Sequence, residues 1–199
     1  EVDLVYANPF DASALVREHG YPAFARPVDC SDEMVIATAA DSPLSGVEAL
    51  KPGASIALTG NTDVKLIGLR LLEPADLTEA DIDWQVADSY QAVARQVLSG
   101  QVDAGFFLAD AFHSFSRLTL SRMKVLVESQ LRDITHVLLS HPRIDQHLPI
   151  LRETVLGIRG EDDAGAAEVL EALGFRQGFE QMEAEDVEFM IDLMDTLLD

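Results

Sequence analysis

Two short polar turns carry the residue types best suited to hold a ligand: Thr59-Gly60-Asn61-Thr62 and Asp88-Ser89-Tyr90. Each follows an apolar run that reads as a strand and leads into a pattern that reads as a helix. A helix that starts just after a strand presents unbonded backbone N–H groups and the positive end of its dipole to whatever lies beyond the strand. Ligands of open α/β sheets sit there, past the carboxyl ends of strands. Hydroxyl and amide side chains added to those N–H groups suit a small polar ligand. The same residue types are also the favoured helix N-caps, so ordinary capping is the competing reading of each turn.

Other chemistry finds little support. His136, His141 and His147 are spaced in a way that invites a metal site. The stretch 134–140 reads as a strand, however, and five residues along a strand put His136 and His141 on opposite faces. Cys30 is the only cysteine, so no internal disulfide forms, and acidic neighbours Asp32 and Glu33 would raise rather than lower a thiol pKa. Ser114 and Ser116 beside His113 lack the strand–turn–helix setting of a nucleophile elbow. There is no phosphate-binding glycine loop, no dinucleotide fingerprint and no paired-cysteine zinc pattern. The lone Trp84, within a strand pattern, reads as core. No catalytic residue, metal ligand or cofactor is expected.

The elements that must position the polar turns alternate between two periods. The stretch 2–6 reads as a strand, and Pro9 to His19 as a helix stopped by Gly20. Extended segments follow at 22–28 and 33–39, with Met34-Val35-Ile36-Ala37 as the continuous apolar run of a buried strand. A turn at 41–43 leads to a short helix ending at Leu50, and Lys51-Pro52-Gly53 turns the chain again. Ser55 to Leu58 is a strand, Val64 to Glu73 a helix and Ile82 to Ala87 a strand. Asp88 or Ser89 then caps a helix whose Tyr90, Val93, Val97 and Leu98 share one face. Gly100 ends that helix, and Val102 to Phe107 is an apolar strand. A helix after Asp110, a polar stretch and strands at 124–127 and 134–140 complete the alternation. The remainder reads as helices at 145–158, 163–173 and 184–198. In the last of these, Val187, Met190, Ile191, Met194, Leu197 and Leu198 form a core-facing stripe. The pattern predicts an α/β protein with parallel or mixed sheets and helices on both faces. Val2-Asp3 and Val102-Asp103 enter their strands in the same phrase, which suggests two related halves.

Composition narrows the partners. The 199 residues carry 35 acidic and 14 basic side chains, a formal charge of −21, with lysine only at 51, 65 and 124. Such a field repels nucleic acid and anionic membranes. No apolar run is long enough to span a bilayer, so no membrane insertion is expected, and no signal peptide precedes the first strand. The chain opens directly inside a strand with no lead-in, as a fragment would.

Five stretches resemble one family throughout the chain: EVDLVYANPFDASALV, SDEMVIATAADSPLSGVEALKPGASIALTGN, DSYQAVARQVLSGQVDAGFF, KVLVESQLRDITHVLLSHP and EVLEALGF. They are similar, in order, to the phosphate, phosphite and phosphonate substrate-binding proteins of ABC transporters. The resemblance implies a two-lobed type II periplasmic-binding-protein-like fold, with mixed sheets flanked by helices, a two-strand hinge and a ligand in the cleft. It implies lobe one from 1–37 and 110–199, lacking the family's first strand and helix at its N-terminus, and lobe two from 38–109. A non-catalytic protein that hands a small molecule to an ABC permease in the periplasm is then expected. The same fold as a ligand-sensing domain of a regulatory protein is the alternative.

The resemblance implies that Tyr6, Asn8, Glu33, Thr59, Asn61, Thr62, Tyr90 and Asp110 contact the ligand. The chain departs from the family at this site. The hydroxyl-rich turn of phosphonate binders falls on Asn61-Thr62-Asp63-Val64, where Thr62 alone keeps the hydroxyl. A tyrosine and serine pair falls near Asp32 and Glu33, and the usual histidine is Tyr90. The family's acidic residue after the DAG strand is matched by Asp110. Carboxylates at Glu33 and Asp63 fit an amine-bearing or a neutral polar ligand better than inorganic phosphate, within the expected class of small phosphonate-like or other small polar molecules.

Overall fold

A computed structural model describes residues 2–130, 134–160, 164–175 and 177–198. Its elements run β1 (Leu4–Ala7), α1 (Pro9–His19), β2 (Ala23–Pro27), β3 (Met34–Ala39), β4 (Ala54–Leu58), α2 (Thr62–Leu71), β5 (Ile82–Val86) and α3 (Tyr90–Leu98). They continue with β6 (Ala104–Leu108), α4 (Ala109–His113), α5 (Arg117–Leu120), β7 (Met123–Glu128), β8 (Val137–Ser140), α6 (Leu148–Leu156), α7 (Ala164–Ala172), β9 (Phe179–Gln181) and α8 (Ala184–Leu198). The chain divides into two compact units, Glu1–Ser31 with Arg132–Asp199, and Asp32–Leu131. Residues 32–37 and 110–131 therefore group with the second unit, whereas the division expected from the resemblance was 37/38 and 109/110. Strand pairing accounts for this: β3 pairs along its length with β6 on one side and β7 on the other.

The first unit is built on a four-stranded antiparallel sheet in the order β1-β8-β2-β9. Helix α1 starts where the sequence requires it. Asn8 Oδ1 accepts the amide hydrogen of Asp11 at 2.8 Å, Pro9 occupies the first turn, and Gly20 stops the helix at φ 65°. Val137 and Leu139 of β8 pack one face of the sheet against Ala12 of α1 and Met190 of α8. Leu138, pointing to the other face, joins Phe24, Leu170, Phe175 and Phe179. Cys30 is part of that second cluster, a packing role. The stripe on α8 does pack inward: Met190 and Met194 are fully buried and Ile191 nearly so. Leu197, Leu198 and the expected helix residue Asp163 lie outside the described side chains.

The second unit is a mixed five-stranded sheet in the order β5-β4-β6-β3-β7. Strands β5, β4 and β6 are parallel, and β3 and β7 run antiparallel to their neighbours. The expected buried run in β3 is wholly inaccessible from Met34 to Ala37. Consecutive phenylalanines of β6 serve opposite faces, as strand geometry demands. Phe106 meets α2 at Gly68, and Phe107 lies against Val93 of α3 and Phe112 of α4. Helices thus cover both faces.

Several elements differ from the expected ones. The helix expected from Val64 begins at Thr62, because Asn61 caps it. The strand expected from Val102 begins at Ala104. Asp103 is instead tied to β4: its carboxylate accepts from the Ser55 amide at 2.8 Å and the Ser55 hydroxyl at 2.9 Å. Asp3, in the matching Val-Asp phrase, accepts from the Arg143 guanidinium at 2.7 Å, so the two phrases are used differently. The long helix expected over 145–158 is split into a 3₁₀ segment (142–147) and α6, with Pro149 at the start of the latter. The strand expected over 134–140 spans only Val137–Ser140. The polar stretch after α4 contains α5, and β9 was not anticipated.

Candidate functional site

The second unit gathers six of the eight candidate residues on one edge of its sheet. Thr59 follows β4, Tyr90 follows β5, and Asp110 follows β6, all at the carboxyl ends of parallel strands. Because β3 is antiparallel to β6, Glu33 enters β3 at that same edge, and its carbonyl accepts the Ala109 amide hydrogen at 2.8 Å. Adjacent strands lie about 4.8 Å apart, so the turns after β4 and β6 are within reach of one small molecule.

Asn61 organises the turn after β4. Its Oδ1 accepts from the amides of Asp63 at 3.0 Å and Val64 at 3.2 Å, capping α2. Its Nδ2 lies 3.4 Å from the Tyr90 hydroxyl, which joins the two turns that the sequence singled out. Ser89, the cap of α3, accepts from the Ala92 amide at 3.3 Å. Asn61, Thr59, Gly60 and Thr62 line a cavity of about 200 Å³ together with Leu58, Lys65, Trp84 and Val86. Lys65 and Trp84 had no local signal as site residues, and the reading of Trp84 as core is only partly met. Its ring packs nearly perpendicular to that of Phe106 at 5.5 Å between centroids, while its face lies under the Lys65 ammonium at 5.1 Å.

At the β3–β7 end of the edge, the Ser129 hydroxyl donates to the Glu33 carboxylate and accepts from the Met34 amide at 2.9 Å. Asp63 is 8 % exposed, within the first turn of α2. Asp110 is exposed in the first turn of α4.

The remaining two candidates, Tyr6 and Asn8, belong to the first unit. They line a cavity of about 420 Å³ formed chiefly by β1 and α1, with Asp11, Leu15 and His19 on its wall. His136 completes it, its ring tilted against that of Tyr6 at 5.2 Å between centroids. The pairing of Ala7 with Val137 brings this histidine to β1 from far along the chain. His141 instead caps the 3₁₀ segment and packs on Tyr21. Among the described residues no cluster of metal-binding side chains occurs.

Sequence comparison identifies the family of the chain. The profile of the family described as ABC transporter, phosphonate, periplasmic substrate-binding protein matches residues 1–187. The chain belongs to this family. The phosphonate-binding family is one of non-catalytic periplasmic proteins that serve an ABC permease with a small molecule. No protein of curated function matches the sequence significantly.

Solved structures agree on the fold, that of type II periplasmic binding proteins. PhnD1 from Prochlorococcus marinus in complex with methylphosphonate superimposes with a TM-score of 0.74 at 14% identity, over 98% of this chain and 78% of its own. XAC2383 from Xanthomonas citri bound to chloride ion gives 0.75 at 17% identity, over 100% and 78%. The aliphatic sulphonate binding protein SsuA from Escherichia coli gives 0.66 at 17% identity, over 98% and 70%. Among the described residues of this family member, no helix is long and apolar enough to cross a membrane.

Proposed function

We propose that the chain is the periplasmic receptor of an ABC importer and captures a small phosphonate-like zwitterion for its permease. The two compact units serve as its lobes. The observation that carries the reading is the convergence of six polar candidates on one sheet edge, where Asn61 and Tyr90 are already in contact. The acidic end of the ligand sits at the Thr59–Thr62 turn, and its amine faces the carboxylates of Asp110 and Glu33. A carboxylate at an anion site is tolerated when the ligand supplies a balancing cation, which favours an aminophosphonate over inorganic phosphate. The family and the methylphosphonate complex of the Prochlorococcus protein support a phosphonate-type ligand.

Calorimetric titration of the chain with phosphate, methylphosphonate, aminomethylphosphonate and an alkanesulfonate tests this. The aminophosphonate is expected to bind tightest. Equally tight phosphate binding would remove the zwitterion, and no binding by any of the four would remove the reading as a whole.

A further inference from the structure

The helix N-terminus beside the cavity is less open to an anion than its position suggests. Two of its first amides, those of Asp63 and Val64, already donate to the Asn61 side chain. An oxyanion in the cavity then needs another source of positive charge. Of the eight residues lining the cavity, Lys65 alone is basic, in a chain of formal charge −21 with three lysines.

Its surroundings hold the ammonium in place. The Glu79 carboxylate pairs with it, and the Trp84 ring lies beneath it at 5.1 Å. Trp84 is itself fixed, its Nε1 donating to the Glu79 carbonyl at 3.1 Å and its ring packed nearly perpendicular to that of Phe106. The Glu79 side chain is 60% exposed, so its bond to Lys65 is a surface ion pair that solvent screens. A ligand oxyanion entering the cavity can take Glu79's place on the ammonium while Trp84 keeps the lysine stem oriented.

We propose that Lys65 is the specificity residue for the ligand's acidic group, with Glu79 as the intramolecular carboxylate it displaces. This rests on the phosphonate-like reading above and adds the atom that makes the charge contact.

Methylphosphonate titrations of the full chain and three variants test it. Lys65→Met should weaken binding about tenfold or more, the loss of one charge-assisted hydrogen bond. Lys65→Arg should retain most of the affinity. Glu79→Gln should tighten binding and reduce the heat of displacement, an outcome that a merely structural ion pair does not produce. Thermal melts without ligand identify any variant that has lost its fold. Undiminished binding by Lys65→Met, or unchanged affinity in Glu79→Gln, would overturn the assignment while leaving the phosphonate reading intact. Failure of the unmodified chain to bind methylphosphonate or any related oxyanion would overturn both.

Discussion

Replacement of Gly68 by alanine tests how α2, and with it Asn61, Thr62 and Lys65, is seated on the sheet. An added Cβ would stand 2.6 Å from Cδ2 and 2.8 Å from Cζ of Phe106, with Cε2 nearer still. Ordinary carbon contacts lie at about 3.5–4.0 Å, so about 1 Å of movement is required. Phe106 is fully buried and its ring packs nearly perpendicular to that of Trp84, so moving the ring displaces packed neighbours. The helix must lift instead. Overpacking of this kind costs about 1–3 kcal/mol, against about 1 kcal/mol gained from alanine's better helix propensity. A net loss of up to about 2 kcal/mol follows, or up to about 8 °C in Tm for a chain of this size. Urea and thermal unfolding of Gly68→Ala, Phe106→Leu and the double variant measure it. The double variant should be more stable than the sum of the single losses, because leucine removes the ring atoms that clash. If Gly68→Ala instead stabilises the protein by about 1 kcal/mol, as in an exposed helix, the packing of α2 on Phe106 is refuted.

Asn61→Ala removes the α2 cap and the contact to Tyr90. It should cost about 1 kcal/mol in unfolding free energy and weaken methylphosphonate binding; Asn61→Ser should recover the stability but not the Tyr90 contact. The Arg17 guanidinium, hydrogen-bonded to Asp195, holds that carboxyl below its ordinary range. A lowered folded-state pKa stabilises above the unfolded value and loses that contribution as pH falls through the folded one. The Tm difference between the unmodified chain and Asp195→Asn should therefore be present at neutral pH and close in acid; a gap that widens in acid would contradict the pairing.

Local chemistry explains what was legible in the sequence. Asn8-Pro9 and Gly20 bound α1 by capping and backbone preference alone, and the Met34–Ala37 run announces a strand buried on both faces. The turns at Asn61 and Ser89 were visible for the same reason. Elements created by distant partners were not. β9 is three residues, too short to carry a period, and exists because it pairs with β2. The late start of β6 follows from the bonds between Asp103 and Ser55, far earlier in the chain. Lys65, Trp84 and Glu79 meet only once α2 and β5 have packed, and His136 reaches Tyr6 only through the β1–β8 pairing. Spacing along the chain contains none of these meetings.

Amide chemical shifts of the labelled chain, followed during a methylphosphonate titration, probe the central claim most directly. Binding at the carboxyl edge of the second unit's sheet predicts that the largest shifts fall on Gly60 to Lys65, Ser89 to Gln91 and Ala109 to Ala111. Shifts confined to other surfaces, or a spectrum unchanged by ligand, would contradict it.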